Sequence, residues 1–289
     1  MSDQIKNSDL TILFNQAIDF TNSHYENFPV LSFFVPKNLR KYTAVVYQFA
    51  RQADDISDEG NRSSQEKLVE LEKYEIELIN SLNQNYQNDF WKVFHHTVIA
   101  KNLSKENFIN LIKAFKQDLI KFRYSNFDDL LNYCENSADP VGRIILEIYN
   151  IRNNEAKNYS DLICTALQLT NFYQDVSIDF QKGRIYIPQN EMYDFSIDEN
   201  DIKNSTNKIK FAELMEFQVN RTKKMFLEGR KILNFLPFRL RLQILVTIKG
   251  GEEILNKIKK LNYDVINQRP KLNKIDFINI FLSTIIFGK

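Results

Sequence analysis

The chain of 289 residues predicts an all-α fold, and three observations carry that prediction. Apolar residues recur at spacings of three and four through most of the sequence, which is the period of one helical face. There are only 7 Gly and 6 Pro, too few for the tight turns of β-sandwiches, propellers or doubly wound sheets with Gly-rich phosphate loops. No internal repeat, low-complexity tract or break in composition marks a linker, so one helical domain over residues 1–289 is the economical reading.

The elements follow in order. Residues 39–59 place Tyr42, Val45, Val46, Phe49, Ala53 and Ile56 on one stripe, and Gly60 with Asn61 ends it. Ser64 opens a second helix through Leu68, Leu71, Tyr74 and Leu78 to about residue 82, and residues 90–100 make a third. Ser104 is an N-cap candidate for 105–123, with Phe108, Leu111, Ile112, Phe115 and Leu119 inward. Residues 127–135 follow, and Pro140 stands near the start of a helix through Ile144 and Ile148. A helix over 160–180 ends at Gly183, and Arg184-Ile-Tyr-Ile-Pro188 reads as extended. Residues 192–207 read as a polar loop, 211–233 and 240–261 as long amphipathic helices, and 277–287 as an apolar last segment.

Composition narrows the function. Hydrophobic residues at 43%, charged residues at 26% and a net charge of +1 describe a globular chain, neither disordered nor collagenous. Two cysteines (Cys134 and Cys164) and three histidines (His24, His95 and His96) make neither a disulfide framework nor a structural zinc site. No leader-like segment opens the chain, and no uncharged apolar run reaches the roughly 18–20 residues that span a bilayer. The expected location is therefore cytoplasmic. Residues 205–289 hold 17 Lys/Arg against 7 Asp/Glu, a charge of +10 that leaves −9 on the rest. This suits a cation site in the acidic part and an anion or membrane-surface contact in the basic part, as well as plain solvated lysines. The basic residues form no compact run, so nucleic acid is a poor fit, and no Gly-rich nucleotide loop exists.

Two acidic constellations stand out. In Ala53-Asp-Asp-Ile-Ser-Asp-Glu59, Asp54 and Asp58 are i, i+4, as are Asp55 and Glu59, all at the C-terminal end of a helix. The macrodipole is negative there, and like charges at i, i+4 add a further cost, each of a few tenths to ~1 kcal/mol. A divalent cation supplies the missing reason. Asn171, Asp175 and Asp179, at i, i+4 and i+8, form a polar stripe on an otherwise apolar helix. Either cluster alone also reads as a solvated face. Two such helices facing each other across a bundle hold Mg²⁺, a hard ion that takes carboxylates together with substrate phosphates, and so a diphosphate.

Paired DxxxD motifs, with Arg51 before the first and Arg184-Ile-Tyr-Ile-Pro188 after the second, resemble the squalene/phytoene synthase family. His24-Tyr-Glu-Asn-Phe-Pro29, Tyr133-Cys-Glu-Asn-Ser-Ala-Asp-Pro-Val-Gly142 and Leu169-Thr-Asn-Phe-Tyr-Gln-Asp-Val176 are closest to its hydroxysqualene synthase branch of hopanoid synthesis. The resemblance implies an α-helical isoprenoid synthase bundle with a central cavity. It implies Mg²⁺-dependent conversion of presqualene diphosphate and water to hydroxysqualene and diphosphate, with upstream and downstream pathway enzymes as possible partners. It implies Asp54, Asp55, Asp58, Asn171, Asp175 and Asp179 as metal ligands, and Arg51, Asn171 and Arg184 as contacts to the metal-bound diphosphate. His24, Phe28, Tyr47, Tyr133 and Tyr186 would line the substrate site, with Tyr133 counted among the catalytic residues. Gln174 departs from the Arg that many condensing members carry there, removing a cation from the diphosphate region.

The 23 Phe and 13 Tyr can supply the π-rich lining that a carbocation needs, although most such rings are core in any protein. Tyr47, Tyr133 and Tyr173 are candidates for placing the attacking water. His95 and His96 read as structural, and Cys134 as a packing residue. Residues 275–287 either cap the core or dip into a membrane. The alternatives are a head-to-head condensing prenyl synthase and a non-catalytic assembly factor of the same fold.

Overall fold

The computed structural model describes residues 7–24 and 34–287 and is all-α, with no strand among the described residues. The chain groups into two compact units, one running to Ile120 and taking in Arg143–Arg152, the other comprising Lys121–Gly142 and Asn153 onward.

The first unit is built round α2 (Lys37–Asp58), which packs against α1 (Asn7–Ser23), α3 (Ser64–Leu82), α4 (Asp89–Lys101) and α5 (Lys105–Asp118). The helix α1 is absent from the periodicity reading. The stripe Val45, Phe49, Ala53 and Ser57 is buried at i, i+4 spacing, and Val46 and Ile56 pack at its edges. Phe49 is the hub: its ring stacks on Phe94 at 5.1 Å and meets Phe108 edge-on at 5.1 Å. Tyr74 donates its hydroxyl proton to the Phe49 carbonyl at 3.1 Å, fixing α3 on α2.

Capping differs by a residue from expectation. Ser63, not Ser64, caps α3, in a reciprocal capping box with Glu66. Ser104 makes no side-chain cap for α5; its amide (2.9 Å) and hydroxyl (2.5 Å) donate instead to the Glu147 carboxylate.

In the second unit α8 (Asn154–Gln174) is central. It packs against α6 (Phe127–Ser137), α12 (Lys208–Gly229), a 3-10 turn (Arg230–Phe235) and α13 (Phe238–Lys260). The helix α7 (Asp139–Ile148) is divided between the units after Gly142. Small residues let neighbours approach α8: a Cβ on Gly142 would meet Ser160 Oγ and lie 2.6 Å from Cys164 Sγ, and one on Gly229 would lie 2.7 Å from Ile163 Cδ1. The 160–180 helix breaks at Asp175, where φ −109° and ψ 16° end α8 and begin α9 (Val176–Gln181). The presumed loop 192–207 contains α10 (Gln189–Asp194) and α11 (Glu199–Asn204), too short for periodicity to show. Last comes α14 (Lys274–Phe287), packed on α13.

Candidate active site

The acids of the first motif lie at the end of α2, opposite its buried stripe. Asp54 and Asp55 are half-buried, while Asp58 and Glu59 are exposed. Arg51, one turn back, sits among them: its Nε is 2.7 Å from Asp55, with Glu59 at 3.2 Å and Asp54 at 3.6 Å. Buried Lys67 donates from Nζ to the Ser57 carbonyl at 2.8 Å, a cation at the negative end of α2. The cost expected of this cluster is therefore answered in part within the chain, not by a divalent ion alone. Two cations against four carboxylates still leave two formal negative charges. In the same unit His24 and Tyr47 come together round Phe20. The His24 ring lies 4.2 Å from Phe20 and 6.4 Å from Tyr47, centroid to centroid. Its Nδ1 is 2.7 Å from the Phe20 carbonyl, to which it donates. Phe28 lies outside the described residues.

The second motif is held by a residue that sequence reasoning missed. Asp175 is bound by both Arg269 Nε and Nη2, the latter at 3.0 Å. The Asp175 hydrogen bond, joined by the charges of Asp175 and Asp179, raises the Arg269 pKa, so the guanidinium is firmly charged here. Gln174 donates to the Pro270 carbonyl at 2.7 Å and pins the segment that carries Arg269. Although residue 174 itself carries no charge, a cation thus stands beside Asp175, delivered by Arg269 from a distant segment. The backbone keeps the i, i+4 rhythm through the helix break, with Asp175 N–H to Asn171 O at 3.0 Å and Asp179 N–H to Asp175 O at 2.8 Å. Asn171 is exposed, and Asp175, Asp179 and Arg184 are half-buried.

Beside this motif an aromatic wall forms. The 184–190 segment runs along 122–125 through Ile185 N–H to Phe122 O at 3.0 Å and Gln189 N–H to Tyr124 O at 2.9 Å. Arg123 locks its start by donating to the Gly183 carbonyl at 2.6 Å. Tyr186 is thereby laid flat on Phe172, centroids 3.7 Å apart and planes 5° from parallel. Tyr133 stands 6.0 Å from Tyr186, and Tyr124 5.7 Å from it. A small cleft of about 10 Å³ here is lined by Phe172, Asp179, Arg184 and Tyr186. Of the predicted residues, Tyr133, Tyr186, Asp179 and Arg184 come together in this way; Phe172, inside the second motif but given no role there, and Tyr124, outside any motif, join them. Tyr173 is built into the core, its hydroxyl accepting from Thr222 at 3.3 Å.

Comparison with known proteins identifies this arrangement. The family model for squalene/phytoene synthase matches residues 21–276. The chain belongs to the squalene/phytoene synthase family. Members of that family are isoprenoid synthases, so the match supports an enzyme of isoprenoid biosynthesis. The hydroxysqualene synthase of Zymomonas mobilis subsp. mobilis is 30% identical over 88% of this chain and 85% of its own. The 15-cis-phytoene synthase of Synechococcus elongatus is 25% identical over 90% and 88%. The crystal structure of squalene synthase HpnC from Alicyclobacillus acidocaldarius superposes with a TM-score of 0.83 at 35% identity, covering 89% of this chain and 96% of that one. The fold is that of a helical isoprenoid synthase.

Within this squalene/phytoene synthase chain the donor set suits Mg²⁺: hard carboxylate and amide oxygens with no competing sulfur or imidazole. Among the described residues no three His, Cys, Asp or Glu side chains converge as a ready-made metal cage. Mg²⁺ characteristically binds through one or two carboxylates and completes its shell with water and substrate phosphate, so such a cage is not required. His95 accepts or donates at Tyr86 Oη (2.7 Å), and burial lowers the pKa of both His95 and His96. Burial, with the charge of Asp139, pushes the Cys134 thiol far up, so it is an inert packing residue.

Proposed function

We propose that this family member converts presqualene diphosphate and water to hydroxysqualene and diphosphate with Mg²⁺. The observation that carries the reading is the arginine-held Asp175 motif beside the stacked wall of Tyr186, Phe172, Tyr124 and Tyr133; the chain's other arginine-held acidic motif, on α2, supports it. The similarity to hydroxysqualene synthases supports the choice of branch.

Asp54, Asp58, Asn171, Asp175 and Asp179 would hold Mg²⁺, which when bound would neutralise charge that develops on the diphosphate oxygens. Arg51 and Arg269 exchange carboxylate for phosphate partners, a substitution that guanidinium geometry favours, and Arg184 adds a further guanidinium beside Asp179. The carbon–oxygen bond breaks with its electron pair going to diphosphate. The cyclopropylcarbinyl cation that remains is faced by ring quadrupoles and shielded from bulk water. The cation rearranges with opening of its cyclopropane ring, and one water adds to the resulting cationic carbon and loses a proton, giving hydroxysqualene. His24 and Tyr47 line the substrate's approach.

Arg269 favours a second reading, head-to-head condensation of prenyl diphosphates, because the cation thought to be missing beside Asp175 is present. Incubation with Mg²⁺ and either presqualene diphosphate or farnesyl diphosphate separates the two. Alcohol from the first substrate supports hydrolysis; turnover of the second alone replaces it with condensation; no turnover of either returns the chain to a non-catalytic role.

A further inference from the structure

The last helix is turned inside out. On α14, Asp276 pairs with Lys257 of α13 at 2.9 Å, and Ser283 Oγ accepts from Lys249 Nζ at 2.9 Å. Ile280 and Thr284 are buried on the same side. Thus α14 docks on α13 largely by its polar residues. Ile275, Ile278 and Leu282, at i, i+3 and i+7, lie about 150° round the helix from that face. They are 67%, 56% and 51% exposed. Water-facing branched aliphatics opposite an inward carboxylate and hydroxyls reverse the usual arrangement of a surface helix.

Charge indicates what covers this stripe. Lys271 and Lys274 are exposed at its head, and Lys257, Lys259 and Lys260 crowd the last turn of α13 beside Asp276. Lys260 keeps 72% of its side chain exposed. An apolar stripe headed by a lysine cluster complements a lipid surface with anionic headgroups. A second copy of the chain would bring the same lysines against each other. No helix among the described residues is long and apolar enough to cross a membrane, so the contact is interfacial.

We propose that α14 is a membrane-docking helix: Ile275, Ile278 and Leu282 enter the acyl boundary of an anionic bilayer while Lys271 and Lys274 engage its headgroups. The full chain is sedimented with vesicles of phosphatidylcholine alone and of phosphatidylcholine with phosphatidylglycerol. Binding to the mixed vesicles that weakens with salt is expected. Ile278→Ser with Leu282→Ser should lower partitioning by about tenfold or more. Lys271→Glu with Lys274→Glu, at two exposed positions, should remove the preference for anionic vesicles by a similar factor of about ten or more, with the circular dichroism unchanged. Failure of the wild-type chain to sediment with either vesicle overturns the proposal, as do variants that bind like wild type. A concentration-dependent dimer that Leu282→Ser dissolves, without vesicle binding, assigns the stripe to self-association and overturns it too.

Discussion

Arg51 and Arg269 play matching parts at the two acidic motifs, yet only Arg51 was legible in the sequence. It lies within one turn of its partners, whereas Arg269 reaches Asp175 across 94 positions of chain. A motif reveals neighbours in sequence; a counter-ion delivered by a distant segment has no local signature. Asp54→Asn and Asp175→Asn should each lower turnover of the diphosphate substrate by about 10² or more, since each removes a negative ligand while keeping shape. Either variant retaining near-normal turnover in a direct diphosphate-release assay sinks the metal reading. Arg269→Gln should raise KM for the diphosphate substrate and lower kcat, with unfolding little changed because the pair is partly solvent-exposed. If thermal stability collapses instead, Arg269 is a strut for α8 and not a diphosphate contact. Isothermal titration should show Mg²⁺ binding strongly only with inorganic diphosphate present, because no three metal-binding side chains converge among the described residues.

Among the elements, α2 was readable almost entirely from its apolar spacing, and with it the first acidic motif; α8 was read only from residue 160 onward, its first turns 154–159 escaping. The break at Asp175 was not legible: the apolar pattern runs through it, and only the dihedral angles of one residue report the change. The N-terminal helix α1 and the short helices α10 and α11 escaped for lack of length or period, while the extended 184–188 segment was announced by Gly183 and Pro188. Close packing against α8 gives Gly142→Ala an expected cost of about 1–3 kcal/mol, because its new Cβ enters the Ser160 and Cys164 side chains. Denaturant unfolding with an unchanged midpoint would contradict that packing. The clamp on the 184–188 segment is acid-sensitive. Hydrogen bonding to Arg123 (2.6 and 2.8 Å), together with its charge, holds the Glu199 carboxyl below its ordinary value. That stabilisation is therefore present above the unfolded pKa of about 4.3 and is lost as pH falls through the lower folded value. With Glu199 nearly half exposed it amounts to less than about 1 kcal/mol. Glu199→Gln should flatten this part of the acid limb; an unchanged profile would show the pair to be idle.

For the molecule as a whole, the charge division read from the sequence gains a physical meaning. The acidic excess includes the two motifs proposed to hold Mg²⁺ and diphosphate, and part of the basic excess gathers at the head of an outward apolar stripe on α14. The length-wide similarity to squalene/phytoene synthases shows family and fold, while the reaction rests on the chemistry of the two motifs and their aromatic wall. The most direct test of that chemistry is mass spectrometry of the lipid product formed from presqualene diphosphate and Mg²⁺ in ¹⁸O-enriched water, without a nicotinamide reductant. The account predicts a C30 alcohol whose oxygen comes from the labelled solvent, released together with diphosphate. A hydrocarbon product, an alcohol lacking the label, or unconsumed substrate would contradict it.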